Sequence, residues 1–159
     1  NITYKTVESY HVSQKIQEMN ALQFAVDKNQ EKIVSLIISY FHKKIDINSK
    51  SIKAIITGND IEIYEKTALY ISIENKNIKI MKLLLERDNI NVNEKLYHCF
   101  ANGNLEVKTA LHLASELGDL EIIKHLLEKK EIDINIEDHQ GKKPIDYSAN
   151  DEIKKLLSK

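Results

Sequence analysis

Thr109-Ala-Leu-His-Leu-Ala114 begins the most regular stretch of the chain, and Gly118-Asp-Leu-Glu-Ile-Ile123 follows it. A helix start rich in small residues, a glycine where the chain can reverse, and an apolar second helix together predict a helix-turn-helix unit. The first phrase recurs in three variants, Asn20-Ala-Leu-Gln-Phe-Ala25, Thr67-Ala-Leu-Tyr-Ile-Ser72 and Lys143-Pro-Ile-Asp-Tyr-Ser148. Such self-similarity predicts a repeat protein in which each unit buries one face against its neighbour.

Each of the first three units continues into an apolar second helix and closes on a short alternating phrase. The second helices are Ile33-Val34 with 36–38, Ile80-Met81 with 83–85, and Ile122-Ile123 with Leu126-Leu127. The closing phrases are Ile45-Asp-Ile-Asn48, Ile90-Asn-Val-Asn93 and Ile132-Asp-Ile-Asn135. Apolar residues alternate in these phrases, which predicts β-like structure at the end of each unit.

Two of the connections between units are longer than the third, and both carry strand patterns. In the first, apolar residues alternate over 52–56 and again over 61–63, on either side of Thr57-Gly-Asn-Asp60. In the second, alternation over 96–100 resumes at Leu105 after Asn102-Gly103, a strong turn sequence. We therefore expect two lengthened β-hairpins.

The units resemble the ankyrin repeat family, whose consensus places Thr-Pro-Leu-His at the start of the first helix. Thr109–His112 is the best match, and Asp138-His-Gln-Gly141 opens the fourth unit in the family's manner. The resemblance implies a mainly all-α fold, an ankyrin-repeat solenoid of stacked helix-turn-helix units with β-hairpin fingers. It divides the chain into an N-terminal capping segment (1–19), three repeats (20–66, 67–108 and 109–142) and a truncated C-terminal capping repeat (143–159).

Ankyrin proteins generally bind protein partners on a concave surface of finger tips and inner-helix edges. By resemblance, the partner-binding positions lie at the inner-helix ends and on the fingers. They are Asp27, Lys28, Glu74, Asn75, Glu116 and Leu117, with Thr57, Asn59, Asp60, Tyr97, Asn102, Asn104, His139 and Gln140. Tyr97 and Leu117 are the expected hot spots, because large side chains contribute most of the energy at interfaces.

Three details of the repeats give further predictions. Gly118 stands between two helices, where we expect positive φ. Its counterparts are Asn29, which tolerates that region, and Lys76, which does not, so we expect the second unit to turn differently. Ile153, Leu156 and Leu157 form the apolar side of a last helix, whereas Lys154 and Lys155 point outward. Val7, Tyr10, Ile16 and Met19 are spaced to line a helix that covers the first repeat.

Composition excludes several classes of protein. The chain has 23 basic and 24 acidic residues, spread evenly, so it offers no dedicated surface to nucleic acid. No apolar stretch is long enough to span a membrane, and the one cysteine, Cys99, indicates a reducing compartment. We expect a soluble, monomeric protein of the cytoplasm or nucleus, and the absence of an initial methionine indicates a piece of a longer chain.

Catalytic, metal and cofactor sites are not expected. His112 belongs to the repeat motif, where the family uses the imidazole to bond backbone near the inter-repeat turn. Cys99 has only His98 as a candidate base, and alternation along a strand directs the two side chains to opposite faces. Residues 133–138 lack the glycine of a calcium loop, and Gly141-Lys-Lys143 lacks the remainder of a phosphate-binding loop.

The sequence thus predicts a non-enzymatic module that binds a partner protein. The alternative is a regulatory or targeting segment of a larger enzyme, effector or channel. A catalytic or membrane domain next to this stretch in the full reading frame would favour that alternative.

Overall fold

A computed structural model describes residues 3–10, 13–41 and 44–158. Seven α-helices occur in that part of the chain: α1 (Ala21–Asp27), α2 (Glu31–Phe41), α3 (Ala68–Glu74), α4 (Ile78–Leu85), α5 (Ala110–Leu117), α6 (Leu120–Leu127) and α7 (Asp151–Leu157). A 3-10 helix spans Pro144–Tyr147. The strands are β1 (Thr3–Tyr10), β2 (Ser13–Asn20), β3 (Ser51–Thr57), β4 (Asp60–Lys66), β5 (Leu96–Cys99) and β6 (Leu105–Lys108).

The helices stack as three pairs. Inner helix α3 contacts α1 and α5, and outer helix α4 contacts α2 and α6. The leucine of each repeated phrase, at positions 22, 69 and 111, is 1% exposed. Burial of one such side chain contributes about 1.5–3 kcal/mol, so this position anchors each unit to its neighbours.

The strands form one antiparallel sheet in chain order, β1 to β6. Both lengthened hairpins are confirmed. Gly58 begins the two-residue loop between β3 and β4 with φ of 63°, the conformation that glycine adopts freely in hairpin turns. The sheet runs along the stack beside the inner helices, to which β2, β4 and β6 lead directly.

The helix expected in the N-terminal segment is wrong, because this segment forms the hairpin β1–β2. Val7 and Ile16, assigned to one side of a helix together with Tyr10 and Met19, are instead cross-strand partners. The cause is long-range pairing: β2 bonds to β3, with Gln17 opposite Lys53. That pairing satisfies the backbone of both strands, and it outweighs the local helical spacing.

All three inner helices end in the same left-handed turn, so the expectation of a different turn in the second unit is wrong. Asn29, Lys76 and Gly118 have φ of 52°, 54° and 65°. Lys76 N–H donates to Ile73 O at 2.9 Å, and Asn77 N–H donates to Ser72 O. These two hydrogen bonds define a Schellman cap. Stacking on both neighbours holds Lys76 in a conformation that lysine does not favour.

The closing phrases are turns and not β-like, because side chains satisfy their backbone. Asn48 donates from its amide to Asn89 O at 2.7 Å and accepts from Asn91 N–H at 2.7 Å. Asn93 repeats both bonds one unit later, to Glu131 O and from Asp133 N–H. These asparagine clamps join the end of each unit to the next.

The last helix forms where the sequence predicted it, with its apolar side buried. The inner helix of the last unit is shortened to the 3-10 turn, and α7 buries Ile153 and Leu157 while Lys154 and Lys155 are exposed. The outer side of α7 is therefore polar.

Candidate functional site

Side chains in the first turns of α1 and α5 hold the backbone that precedes the next unit. Gln23 accepts from Asn20 N–H and donates to Ser49 O at 2.6 Å. His112, which is fully buried, accepts a hydrogen bond from Thr109 N–H and bonds Lys142 O at 3.2 Å. The structural role predicted for His112 is therefore present in its geometry. Burial lowers its pKa, with the bond to Lys142 O opposing, so the ring is neutral.

Two lysine–glutamate pairs tie the sheet to the inner helices. Lys66 lies 2.6 Å from Glu74, and Lys108 lies 2.7 Å from Glu116 and 2.9 Å from Glu106. Burial lowers the pKa of Lys108, but the hydrogen bonds that Lys108 donates to Glu116 and Glu106 outweigh it, so the pKa is raised. Each lysine directly precedes a helix cap, and its partner ends the same helix.

Three rings stack between these pairs. Tyr64 and His98 are cross-strand partners with ring centroids 3.9 Å apart, and Phe100 lies 3.7 Å from His98. Lys53 Nζ lies 5.2 Å from the Tyr64 centroid, within cation–π range. Burial and a bond to Glu62 raise the pKa of Tyr64 to about 12. Burial lowers the pKa of His98, with nearby Glu106 opposing.

These side chains line a cleft of about 160 Å³ between the sheet and the inner helices, hereafter the groove. Its lining residues are Tyr64, Glu65, Lys66, Tyr70, Glu74, Leu96, Tyr97, His98, Glu106 and Lys108. His98 Nε2 is buried and has no hydrogen-bond partner in the described chain. Desolvation and nearby glutamates raise the pKa of Tyr70, so its hydroxyl stays protonated. The groove thus offers aromatic faces, an unused ring nitrogen and charges of both signs.

The predicted partner-binding positions divide into two groups around the groove. At the tips Thr57, Asn59, Asp60, Asn102 and Asn104 are exposed, as are His139 and Gln140. Asn104, His139 and Gln140 share with Phe100 a second cleft of about 560 Å³. The helix-end positions are Asp27, Lys28, Glu74, Asn75, Glu116 and Leu117, of which Asp27 and Leu117 are half-buried.

Several of these residues also have structural partners. Asn75 donates to Val26 O at 3.3 Å and so caps the preceding inner helix. His139 Nδ1 accepts from Val107 N–H and thereby covers the edge of β6. Leu117, expected as an exposed hot spot, packs instead against the core.

The Tyr97 side chain lies on the sheet face opposite that of His98, although Tyr97 is also among the residues that line the groove. His98 is opposite Glu106 on the groove face, whereas Tyr97 is opposite Val107 on the other face. Lys50 Nζ lies 5.2 Å from the Tyr97 ring and pairs there with Glu65 and Glu94. The exposed apolar side chains of this back face are Ile52, Ile61, Ile63, Tyr97 and Leu105.

No group of three or more potential metal ligands occurs in the described residues. Cys99 pairs with Ile63 on the back face, away from His98. No helix among the described residues is long and apolar enough to cross a membrane.

The family described as ankyrin repeats (3 copies) matches residues 5–96 and 45–138, most of the chain. The chain therefore belongs to the ankyrin repeat family, whose members are generally protein–protein interaction modules and typically not catalytic. Among solved structures it is similar to the crystal structure of EF0377, an ankyrin repeat protein. The identity is 19% and the TM-score 0.44, over 94% of this chain and 82% of that one. No curated protein matches the sequence.

Sequence reasoning missed the centre of the groove, namely Tyr64, Lys66, Tyr70, His98 and Lys108. One pattern could have found the lysines: Lys66 and Lys108 stand immediately before a threonine cap, with a glutamate eight residues later in both units.

Proposed function

We propose that this chain binds a partner protein through the groove and the finger tips that flank it. The stack of Tyr64, His98 and Phe100 carries the proposal, because aromatic side chains held rigidly beside polar groups are typical of interface hot spots. The stack needs little ordering on binding, since both neighbouring rings already restrain His98.

The charges of the groove favour a protein over a polyanion. Lys66 and Lys108 are already paired with glutamates, so they offer little attraction to phosphates. The same pairs present positive and negative groups side by side, and a polypeptide with both signs can complement them. Nucleic acid binding at low ionic strength would contradict this reasoning.

The tip positions Thr57, Asn59, Asp60, Asn104 and Gln140 extend the proposed surface. They are polar, exposed and close to the groove, as expected for a rim around an aromatic centre. Among the helix ends, Glu74 and Glu116 contribute through their pairs with the groove lysines.

The back face is the competing surface. Ile61 is 51% exposed and Leu105 41% exposed, and exposed apolar patches often mark contacts between proteins. Among the described residues the back face has no ring stack like that of Tyr64, His98 and Phe100, so we rank it second.

The test is affinity capture followed by mass spectrometry, with matched double variants of the two faces. Tyr64→Ser with His98→Ser removes the stack, and Ile61→Ser with Leu105→Ser alters the back face. We expect the groove variant to lose captured protein by about tenfold or more, as for hot-spot truncation. The back-face variant should retain it. The opposite pattern would assign binding to the back face. Circular dichroism of both variants checks that any loss of captured protein is not caused by unfolding.

A further inference from the structure

The first helix pair exposes residues that are buried at the same places in the next two pairs. Ile33 is 47% exposed, whereas its counterparts Ile80 and Ile122 are 0% exposed. Ile37 is half-buried, and its counterparts Leu84 and Leu126 are fully buried. Among the described residues, α2 lies before α4 and α4 before α6, but no helix pair lies before α2.

Val34 is an internal comparison within the same helix. It is fully buried, like its counterparts Met81 and Ile123. The helix is thus correctly docked on its own unit, and exposure is confined to one side. That side, hereafter the end face, consists of Ile33, Ile37, Tyr40 and Phe41. The other end of the stack differs, because α7 exposes lysines there.

One backbone N–H at the same end lacks the acceptor that its counterparts in the other units have. Asn91 N–H is bonded by Asn48 and Asp133 N–H by Asn93, each from the unit before. The corresponding donor of the first unit is Asp46 N–H, which has no acceptor among the described residues. A cleft of about 500 Å³ runs beside it, and its lining combines apolar residues, among them Ile37, Phe41 and Ile52, with polar and charged ones.

The fingers give a third, independent observation. The strands β3 and β5 are each entered from an outer helix, α2 and α4, through a closing phrase. The hairpin β1–β2 has the same place before α1 and pairs with β3 in the same sheet. The hairpin β1–β2 therefore occupies the position of a finger that joins two units.

We infer that the end face is the seat of one further ankyrin-type helix pair, whose outer helix leads into β1. This pair covers Ile33 and Ile37, and it closes on an asparagine that accepts from Asp46 N–H, as Asn48 and Asn93 do for the following units. A second copy of this chain does not offer that surface, because its C-terminal end is polar and its N-terminal end lacks the clamp.

The test is a fusion in which residues 67–95, a helix pair with its clamp, are placed before residue 1 of the full chain. Natively this segment leads into β5 in the way proposed for β1. We expect a higher melting temperature and amide exchange in α2 that is slower by about tenfold or more. Exchange of α4 and α6 reports whether the rest of the chain remains folded.

Two variants make the result specific. Ile33→Glu should lower the melting temperature of the fusion while it leaves that of the original chain nearly unchanged. Asn93→Ala within the added segment alone should remove part of the gain. If the added segment exchanges freely and α2 is unaffected, the inference is wrong. It is also wrong if the original chain forms a dimer that Ile33→Glu dissociates, since a second copy then occupies the end face.

Discussion

The inter-helix turns of the second and third units allow a matched exchange of residues. Lys76 and Gly118 have nearly the same φ, but only glycine adopts it without cost. A Cβ added at Gly118 meets nothing within 4 Å, so Gly118→Ala changes the backbone cost alone. That cost is about 1–2 kcal/mol, offset by about 0.4–1 kcal/mol from the lower entropy of the unfolded chain. We expect the free energy of unfolding to fall by about 1 kcal/mol.

Lys76→Gly should raise the free energy of unfolding by about the same amount, because glycine adopts the left-handed conformation without the cost that lysine incurs. The Lys76 side chain is exposed and makes no hydrogen bond or ion pair with the described residues, so no contact is lost. Gly118→Val should cost more than Gly118→Ala, since β-branched residues strongly disfavour positive φ.

Urea unfolding followed by circular dichroism measures these changes. A change of 1 kcal/mol corresponds to about 2–4 °C in the melting temperature for a chain of this size. The double variant Lys76→Gly with Gly118→Ala should return close to the original value if the turns act independently. A destabilised Lys76→Gly protein would refute the reasoning, because it would show that the lysine contributes more than its strained backbone costs.

Three further predictions concern burial, the clamps and pH. Leu111→Ala should lower the free energy of unfolding by about 2–5 kcal/mol, whereas Leu36→Ala, at a 54% exposed position, should change it by less than about 0.5 kcal/mol; comparable losses in urea unfolding would contradict the stacking described. Asn93→Ala should cost about 0.5–1.5 kcal/mol, because Asp133 N–H exchanges its acceptor for water, and faster amide exchange at that N–H would locate the effect. The folded-state pKa of His112 lies below its unfolded value of 6.5, so its stabilising effect is present above that pH and is lost as the pH falls towards the folded value. His112→Gln, which reproduces the residue found at the equivalent position Gln23, should therefore reduce the loss of stability between about pH 7.5 and 5.5, and an unchanged slope would exclude His112 as its source.

The repeats and both lengthened hairpins could be predicted because their determinants are local. The helix phrases recur in order, and the turn glycines follow alternating apolar residues. The hairpin β1–β2 could not, because its partner β3 lies some 35 residues away and the spacing of Val7 and Ile16 also fits a helix. The left-handed Lys76 likewise results from the stack and not from its own preference.

The candidate site was predictable in outline only. Tip positions follow from the turns, but which face of a finger meets the inner helices depends on strand register. A shift of one residue exchanges the two faces, and the neighbours Tyr97 and His98 accordingly direct their side chains to opposite faces. The groove lysines were overlooked because their pairing with glutamates depends on how each finger packs against the end of its inner helix.

Photo-crosslinking from two adjacent positions tests the central claim directly. Lys53 lies on the groove face beside Tyr64, and Ile52 lies on the back face next to it in the chain. A photoreactive amino acid in place of Lys53 should crosslink to the captured partner protein, and the same amino acid in place of Ile52 should not. Crosslinking from Ile52 alone would contradict the account, because it would place the partner on the back of the sheet.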